Sequence, residues 1–222
     1  VTADIDITVA DEDIRKAYAS LLEEQKSAFN KDVAAYETAL LADEVITYRP
    51  VTCKKVSQFY MMYDEDVIGM INQLRQYNSD ELANEMIADQ QTRMKEKVET
   101  AQQLLANGED FFKLQSAIAC NGAYSINYIG DNTTRFSEEY RNEVKKLKNP
   151  GDVSLAIPAD WGVYILKLED ILQPEEVPLQ EVSALLGAEL LEEKRAQAYT
   201  DLQAEWLALT SVEKYEENVY TE

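Results

Sequence analysis

Asn149-Pro150-Gly151-Asp152-Val153-Ser154 and, a few residues on, Trp161-Gly162-Val163-Tyr164-Ile165-Leu166-Lys167-Leu168 form the stretch that decides the fold. The Asn-Pro-Gly run stops a helix and sets a turn. Val153 to Ile157 then reads as a strand, Pro158 to Asp160 as turn residues, and Gly162 to Leu168 as a second strand. In the second strand Val163, Ile165 and Lys167 point one way and Tyr164, Leu166 and Leu168 the other. Both faces are largely apolar, which fits a central strand covered on both sides.

Upstream of this stretch, Phe136, Tyr140, Val144 and Leu147 recur at helical steps and predict a short helix over Phe136 to Leu147. The Asn- and Gly-containing segment from Asn121 to Thr134 reads as irregular. A helix from Asp110 to about Cys120 is expected to bury Phe111, Phe112, Leu114 and Ile118. A longer one opens at Asp80 with Ser79 as its cap and stops at Asn107-Gly108. Cys53 to Tyr63 is the first strand, broken by Asp64-Glu65-Asp66. Asp11 to Gln25 reads as a helix with an acidic first turn, and its period continues through Phe29, Val33, Tyr36, Leu40 and Leu41. Arg49-Pro50 ends that arm. Downstream, a final helix spans Leu179 to Leu209, Gly187 notwithstanding, and an acidic tail follows Ser211. The order gives an α+β chain: a helical arm over residues 1–50, an insert over 51–172, and a C-terminal helix within 173–222 that packs back on the first arm.

The balance of 21 Lys plus Arg against 42 Asp plus Glu leaves a formal charge of −21. Such a field repels phosphate backbones, so no nucleic-acid partner is expected. Histidine is absent altogether, which removes the commonest general base and metal ligand; no metal site and no cofactor are expected. No apolar run approaches the roughly 20 residues of a membrane helix, so no transmembrane segment is expected. The chain begins at Val1 without an initiator Met, which suggests processing. Cys53 and Cys120 fit either a disulfide in an oxidising compartment or two buried thiols.

Several of these segments carry a resemblance. Leu104-Leu105-Ala106-Asn107-Gly108-Glu109-Asp110-Phe111, the Gly151-Asp152-Val153-Ser154 turn and Trp161-Gly162-Val163-Tyr164-Ile165-Leu166 look like the signatures of the parvulin peptidyl-prolyl isomerases, specifically the extracytoplasmic foldases of the PrsA and SurA type. The resemblance covers about Thr52 to Asp170. Less specifically, the flanks look like the foldases' helical chaperone domain. It implies a parvulin-like domain inserted between helical chaperone-like arms. Where the family's last strand carries a histidine, this chain has Tyr164. On the first strand, aligning Lys55-Val56-Ser57-Gln58-Phe59-Tyr60 puts Gln58 at the place of another histidine. The acidic residue or cysteine expected after the second helix falls on Asn121, or on Cys120 if the register slips by one. Phe136 and Tyr140 match the positions that hold the substrate proline ring, and Gly130-Asp131 looks like a remnant of the glycine-rich loop.

Isomerisation of an X-Pro bond crosses a barrier of roughly 20 kcal/mol and needs no nucleophile or metal. An apolar seat, exclusion of water and a few hydrogen bonds to the twisted amide suffice. The resemblance therefore implies Gln58, Asn121 and Tyr164 as the polar, catalytic positions and Phe136, Tyr140 and Cys120 as the substrate-binding ones. With both histidines gone, weak or lost turnover is expected beside retained binding of extended, proline-containing client segments. The expected partners are unfolded or partly folded proteins, with a homodimer through the arms open, and the expected location is extracytoplasmic, lipid-anchored or secreted. Two further readings stand beside this one: an active isomerase using the non-histidine network, and a purely structural interaction module.

Overall fold

The computed structural model describes residues 7–109, 113–114 and 122–209. Along the chain run α1 (Asp11–Phe29), α2 (Val33–Leu41), β1 (Tyr48–Arg49), β2 (Cys53–Met62), α3 (Glu65–Gln76), α4 (Asp80–Ala106), β3 (Gly122–Gly130), α5 (Glu138–Lys146), β4 (Ile157–Ala159), β5 (Gly162–Leu172), β6 (Glu175–Glu176) and α6 (Leu179–Leu209). The class is α+β, as the alternation of helical and strand periods predicts.

Four antiparallel strands make the main sheet in the order β3-β2-β5-β4. β2 and β5 lie at its centre, paired from Cys53 opposite Leu172 to Met62 opposite Gly162, with a bulge between Lys55 and Val56. Gly162 has a steric reason to be glycine. A Cβ there would lie 2.2 Å from the Met61 carbonyl oxygen, so no side chain fits where the strands approach. The pleat separates two apolar sets. Phe59, Met61, Val163 and Ile165 pack with Ile71 of α3 and Ala83, Ile87, Val98, Ala101 and Leu105 of α4. Val56, Leu166 and Leu168 pack on the other face with Tyr140 and Val144 of α5, Leu147 and Ile157.

The first and last helices come together at one side. Val182 and Leu186 of α6 pack with Val45 and Val177, against which Ile14, Tyr18 and Leu21 of α1 lie. Gly187 belongs to this contact, because a Cβ there would sit 3.3 Å from the Ile14 Cδ1. Tyr18 donates to the Val177 carbonyl at 2.8 Å, and Lys194 pairs with Asp13 at 2.7 Å. The buried Gln25 amide ties α1 to the incoming strand: Nε2 donates to Val45 O at 2.7 Å, while Oε1 accepts from Thr47 N at 2.8 Å and Tyr48 N at 3.2 Å. β1 pairs with β6, so both arms reach the sheet through one two-stranded ribbon.

Several elements differ from the sequence reading. The first arm is two helices, broken at 30–32, where Asp32 accepts from the Ala34 amide at 2.9 Å. Asp64-Glu65-Asp66 does not merely break the first strand; it opens α3, whose Val67, Ile68, Ile71 and Leu74 keep the helical period. Ser79 does not cap α4 through its side chain. The segment read as irregular holds β3, in which Tyr124, Ile126 and Tyr128 alternate with Ser125 and Asn127; that period of two outweighs the turn-forming residues at its ends. β4 lies later than the Val153 to Ile157 reading and includes Pro158 and Ala159. Ser154 explains the shift: its amide donates to Leu166 O at 2.8 Å while its hydroxyl accepts from Leu166 N at 2.9 Å, replacing a strand ladder with a side-chain bridge. Most of the helix expected over Asp110 to Cys120, and the acidic tail, lie outside the described residues. Cys53 is buried and free, its thiol pushed up to about 12 by burial first and by Glu37 second.

Candidate functional site

β2 directs Val56, Gln58 and Tyr60 to one face of the sheet because alternate residues of a strand share a face. Gln58 stands opposite Ser125 of β3 and Leu166 of β5, and Tyr60 stands opposite Tyr164. The Gln58 amide is buried at 8% exposure, so its carbonyl requires donors. It has two: the Tyr140 hydroxyl at 2.9 Å and the Asn127 Nδ2 at 3.2 Å. Asn127 is itself 3.4 Å from the Ser125 hydroxyl.

Helix α5 delivers the aromatic part. Ser137 caps it, accepting from the Tyr140 amide at 3.3 Å, and Phe136 sits just ahead of that cap. The Phe136 and Tyr140 rings stack with centroids 4.3 Å apart and planes 10° from parallel. Tyr164 meets Tyr140 edge-on at 5.6 Å, Trp161 meets Tyr164 at 4.8 Å, and Tyr60 meets Trp161 at 5.1 Å. Five rings thus adjoin along the sheet face, Tyr60 also meeting Tyr164 at 6.3 Å, with an amide and a phenol hydrogen-bonded beneath. Tyr140, at 2% exposure, is the floor. Phe136, Tyr164, Trp161 and Tyr60 are half-buried and form the wall.

The site is electrically neutral. Burial first, and Tyr164 second, push the Tyr140 hydroxyl well above the ordinary phenol range, and burial followed by Tyr60 raises Tyr164. Gln58 and Asn127 do not titrate. A cation adjoins the site at Arg135, whose guanidinium lies 5.2 Å from the Phe136 centroid, donates to the Tyr128 carbonyl at 2.6 Å and approaches Glu37 at 3.8 Å. Beyond Arg135 an open cleft of about 400 Å³ runs between α2 and the 132–135 loop, walled by Lys31, Glu37, Thr133 and Thr134.

Of the residues singled out in the sequence, Gln58, Tyr164, Phe136 and Tyr140 meet in this one place. Asn121 and Cys120 lie outside the described residues. One local expectation is corrected: Phe136 and Tyr140 do not share a helical face, since α5 begins at Glu138 and the stack spans its N-cap. Sequence reasoning missed Asn127, Tyr60 and Trp161. Tyr60 was legible as the residue two beyond Gln58 on the same strand face. Asn127 was hidden with the rest of β3. Gly130 does not keep a loop open; its amide is held by Thr133 Oγ1 at 2.9 Å and Glu37 Oε1 at 3.2 Å. Among the described residues no group of side chains is arranged to hold a metal ion, and no helix is long and apolar enough to cross a membrane.

No protein-family model and no curated protein matches the chain. Several solved chains are similar. One is a SurA-like chaperone from a study of PEB4 and the periplasmic protein Cj1289 of Campylobacter jejuni, at 14% identity over 89% of this chain and 75% of that one, with a TM-score of 0.26. Another is the peptidylprolyl isomerase PrsA of Bacillus cereus, at 14% identity over 96% of this chain and 79% of that one, with a TM-score of 0.23.

Proposed function

We propose that this chain is an extracytoplasmic foldase-like protein that binds extended, proline-containing segments of unfolded clients on the aromatic face of a parvulin-like domain over residues 51–172. One observation carries the reading: Gln58, Phe136, Tyr140 and Tyr164, drawn from three separate elements, adjoin one another. Phe136 and Tyr164 offer apolar walls to a proline ring, with the Gln58–Tyr140 pair beneath. The arms, 1–50 and 173–222, joined through α1 and α6, hold the rest of the client. Isomerase activity is weak or lost, because twisting the amide is helped by groups that strengthen their hydrogen bonds as conjugation fades. Here the best-placed donor, the Tyr140 hydroxyl, is already committed to Gln58.

A protease-coupled isomerisation assay on a proline tetrapeptide, run beside a peptide-binding titration, tests this. The expected outcome is saturable binding with an isomerisation rate near the uncatalysed one. Turnover comparable to an intact parvulin would instead establish a working non-histidine site, and absence of binding would leave the chain as a structural interaction module.

A further inference from the structure

The ladder of rings continues past the residues that the proline seat requires. Trp161 enters the β4–β5 turn and leans on Tyr164 at 4.8 Å and 82°, and Tyr60 closes on Trp161 at 5.1 Å and 85°. All three rings are half-buried, so each keeps part of its surface towards solvent. Their contribution to the core does not require this: Tyr60 and Trp161 belong to neither of the two clusters that fill the sheet's faces. Among the described residues the cation–ring contacts are Lys55 on Tyr128 and Arg135 on Phe136, which leaves Tyr60, Trp161 and Tyr164 without an internal cation. The Phe136 ring thus carries a guanidinium on its face and the Trp161 ring does not, Arg75 beside it being held by Asp160 at 2.9 Å.

We propose that Trp161 and Tyr60 form a second subsite beside the proline seat, taking a basic side chain, arginine above all, from the residue that flanks the proline. The inference rests on the proposed seat and names what it selects. Spacing favours it: neighbouring residues have Cα atoms about 3.8 Å apart, so a side chain next to a seated proline falls about one ring further along a ladder with 4.8 to 5.6 Å steps. Chemistry favours it too. A tryptophan face is the strongest aromatic partner for a cation, and a planar guanidinium stacks on it with little loss of hydration. A molecule of formal charge −21 enriches basic segments near its surface before any specific contact forms.

Calorimetric titration of the full chain with capped Ala-X-Pro-Ala peptides, X being Arg, norleucine, Ala or Glu, tests the subsite at low and high salt. The Arg peptide is expected to bind about two- to fivefold tighter than the norleucine peptide, a cation–ring increment that persists in high salt. Trp161→Leu should erase that preference, so that the Arg and norleucine peptides bind alike, and Trp161→Phe should keep most of it. Equal affinity for Arg and norleucine on the unaltered protein overturns the subsite whatever the variants do. So does a preference that vanishes with salt, or that survives Trp161→Leu, since either reports only the diffuse field. Equal binding of all four peptides would leave the seat standing, whereas no binding by any peptide would overturn the seat and the subsite with it.

Discussion

A phenol hydroxyl buried against an amide carbonyl joins two elements that share no backbone hydrogen bonds: Tyr140 on α5 and Gln58 on β2. Removing the Tyr140 hydroxyl leaves the Gln58 carbonyl with the weaker Asn127 bond at 3.2 Å, so Tyr140→Phe should cost about 1 kcal/mol in urea denaturation, while Gln58→Leu combined with Tyr140→Phe should cost less than the two single changes added together. Additive losses would show that the bond does not exist in solution. The stack with Phe136 survives in the phenylalanine variant, so proline-peptide affinity should change less than twofold. Gly162 is the other residue with a sharp requirement: Gly162→Ala forces a Cβ to 2.2 Å from Met61 O, and thermal denaturation should show a loss of about 3 kcal/mol or more, or no folded protein. Gln58, Phe136, Tyr140 and Tyr164 were singled out through the family resemblance, since helical or strand spacing by itself fits plain core packing equally well. Asn127 and Trp161 were not, because a polar residue on an unrecognised strand and a ring at a turn leave no periodic trace.

At the level of elements, the Gly151-Asp152-Val153-Ser154 turn works as a clamp on β5. Asp152 accepts from Lys148 N at 2.7 Å and Asn149 N at 2.8 Å, and its carbonyl accepts from Leu168 N at 2.9 Å. The Asn149 and Lys148 amides hold its carboxyl below the ordinary value of 3.8. A group depressed in the folded chain contributes stability above that ordinary value and loses it as pH falls through the folded one. Denaturation midpoints of the parent protein and of Asp152→Asn should therefore differ near neutrality and converge in acid below about pH 4; a constant gap would refute the clamp. The strands β2 and β5 and the helices α4 and α5 were readable because each buries a regular apolar set, whereas α6 buries Val182 and Leu186 and leaves Leu185, Tyr199 and Trp206 exposed. Elements were misread where turn residues masked the pattern, as in β3, or where an acidic run that opens a helix looked like a break, as before α3. β4 was displaced because Ser154 bonds to β5 through its hydroxyl, which residue type alone does not reveal.

For the whole molecule, burial pushes several phenols and a thiol the same way. Burial leads the causes that raise Tyr36, Tyr140, Tyr63 and Cys53, the last two to about 12. Raised groups stabilise the fold fully below their ordinary values, 9.0 for the thiol and 10.0 for the phenols, and that stability is lost as pH rises through the folded values. The melting temperature should accordingly hold steady around neutrality and fall from about pH 9 upward, more shallowly in Cys53→Ala. The central claim concerns the aromatic face of the sheet, and it is met most directly by following backbone amides of the isotopically labelled protein while a proline tetrapeptide is added. Saturable shifts at Gln58, Phe136, Tyr140 and Tyr164, with Val182 and Leu186 of α6 unmoved, are the expected result. Shifts confined to α1 and α6, or none at all, would contradict it.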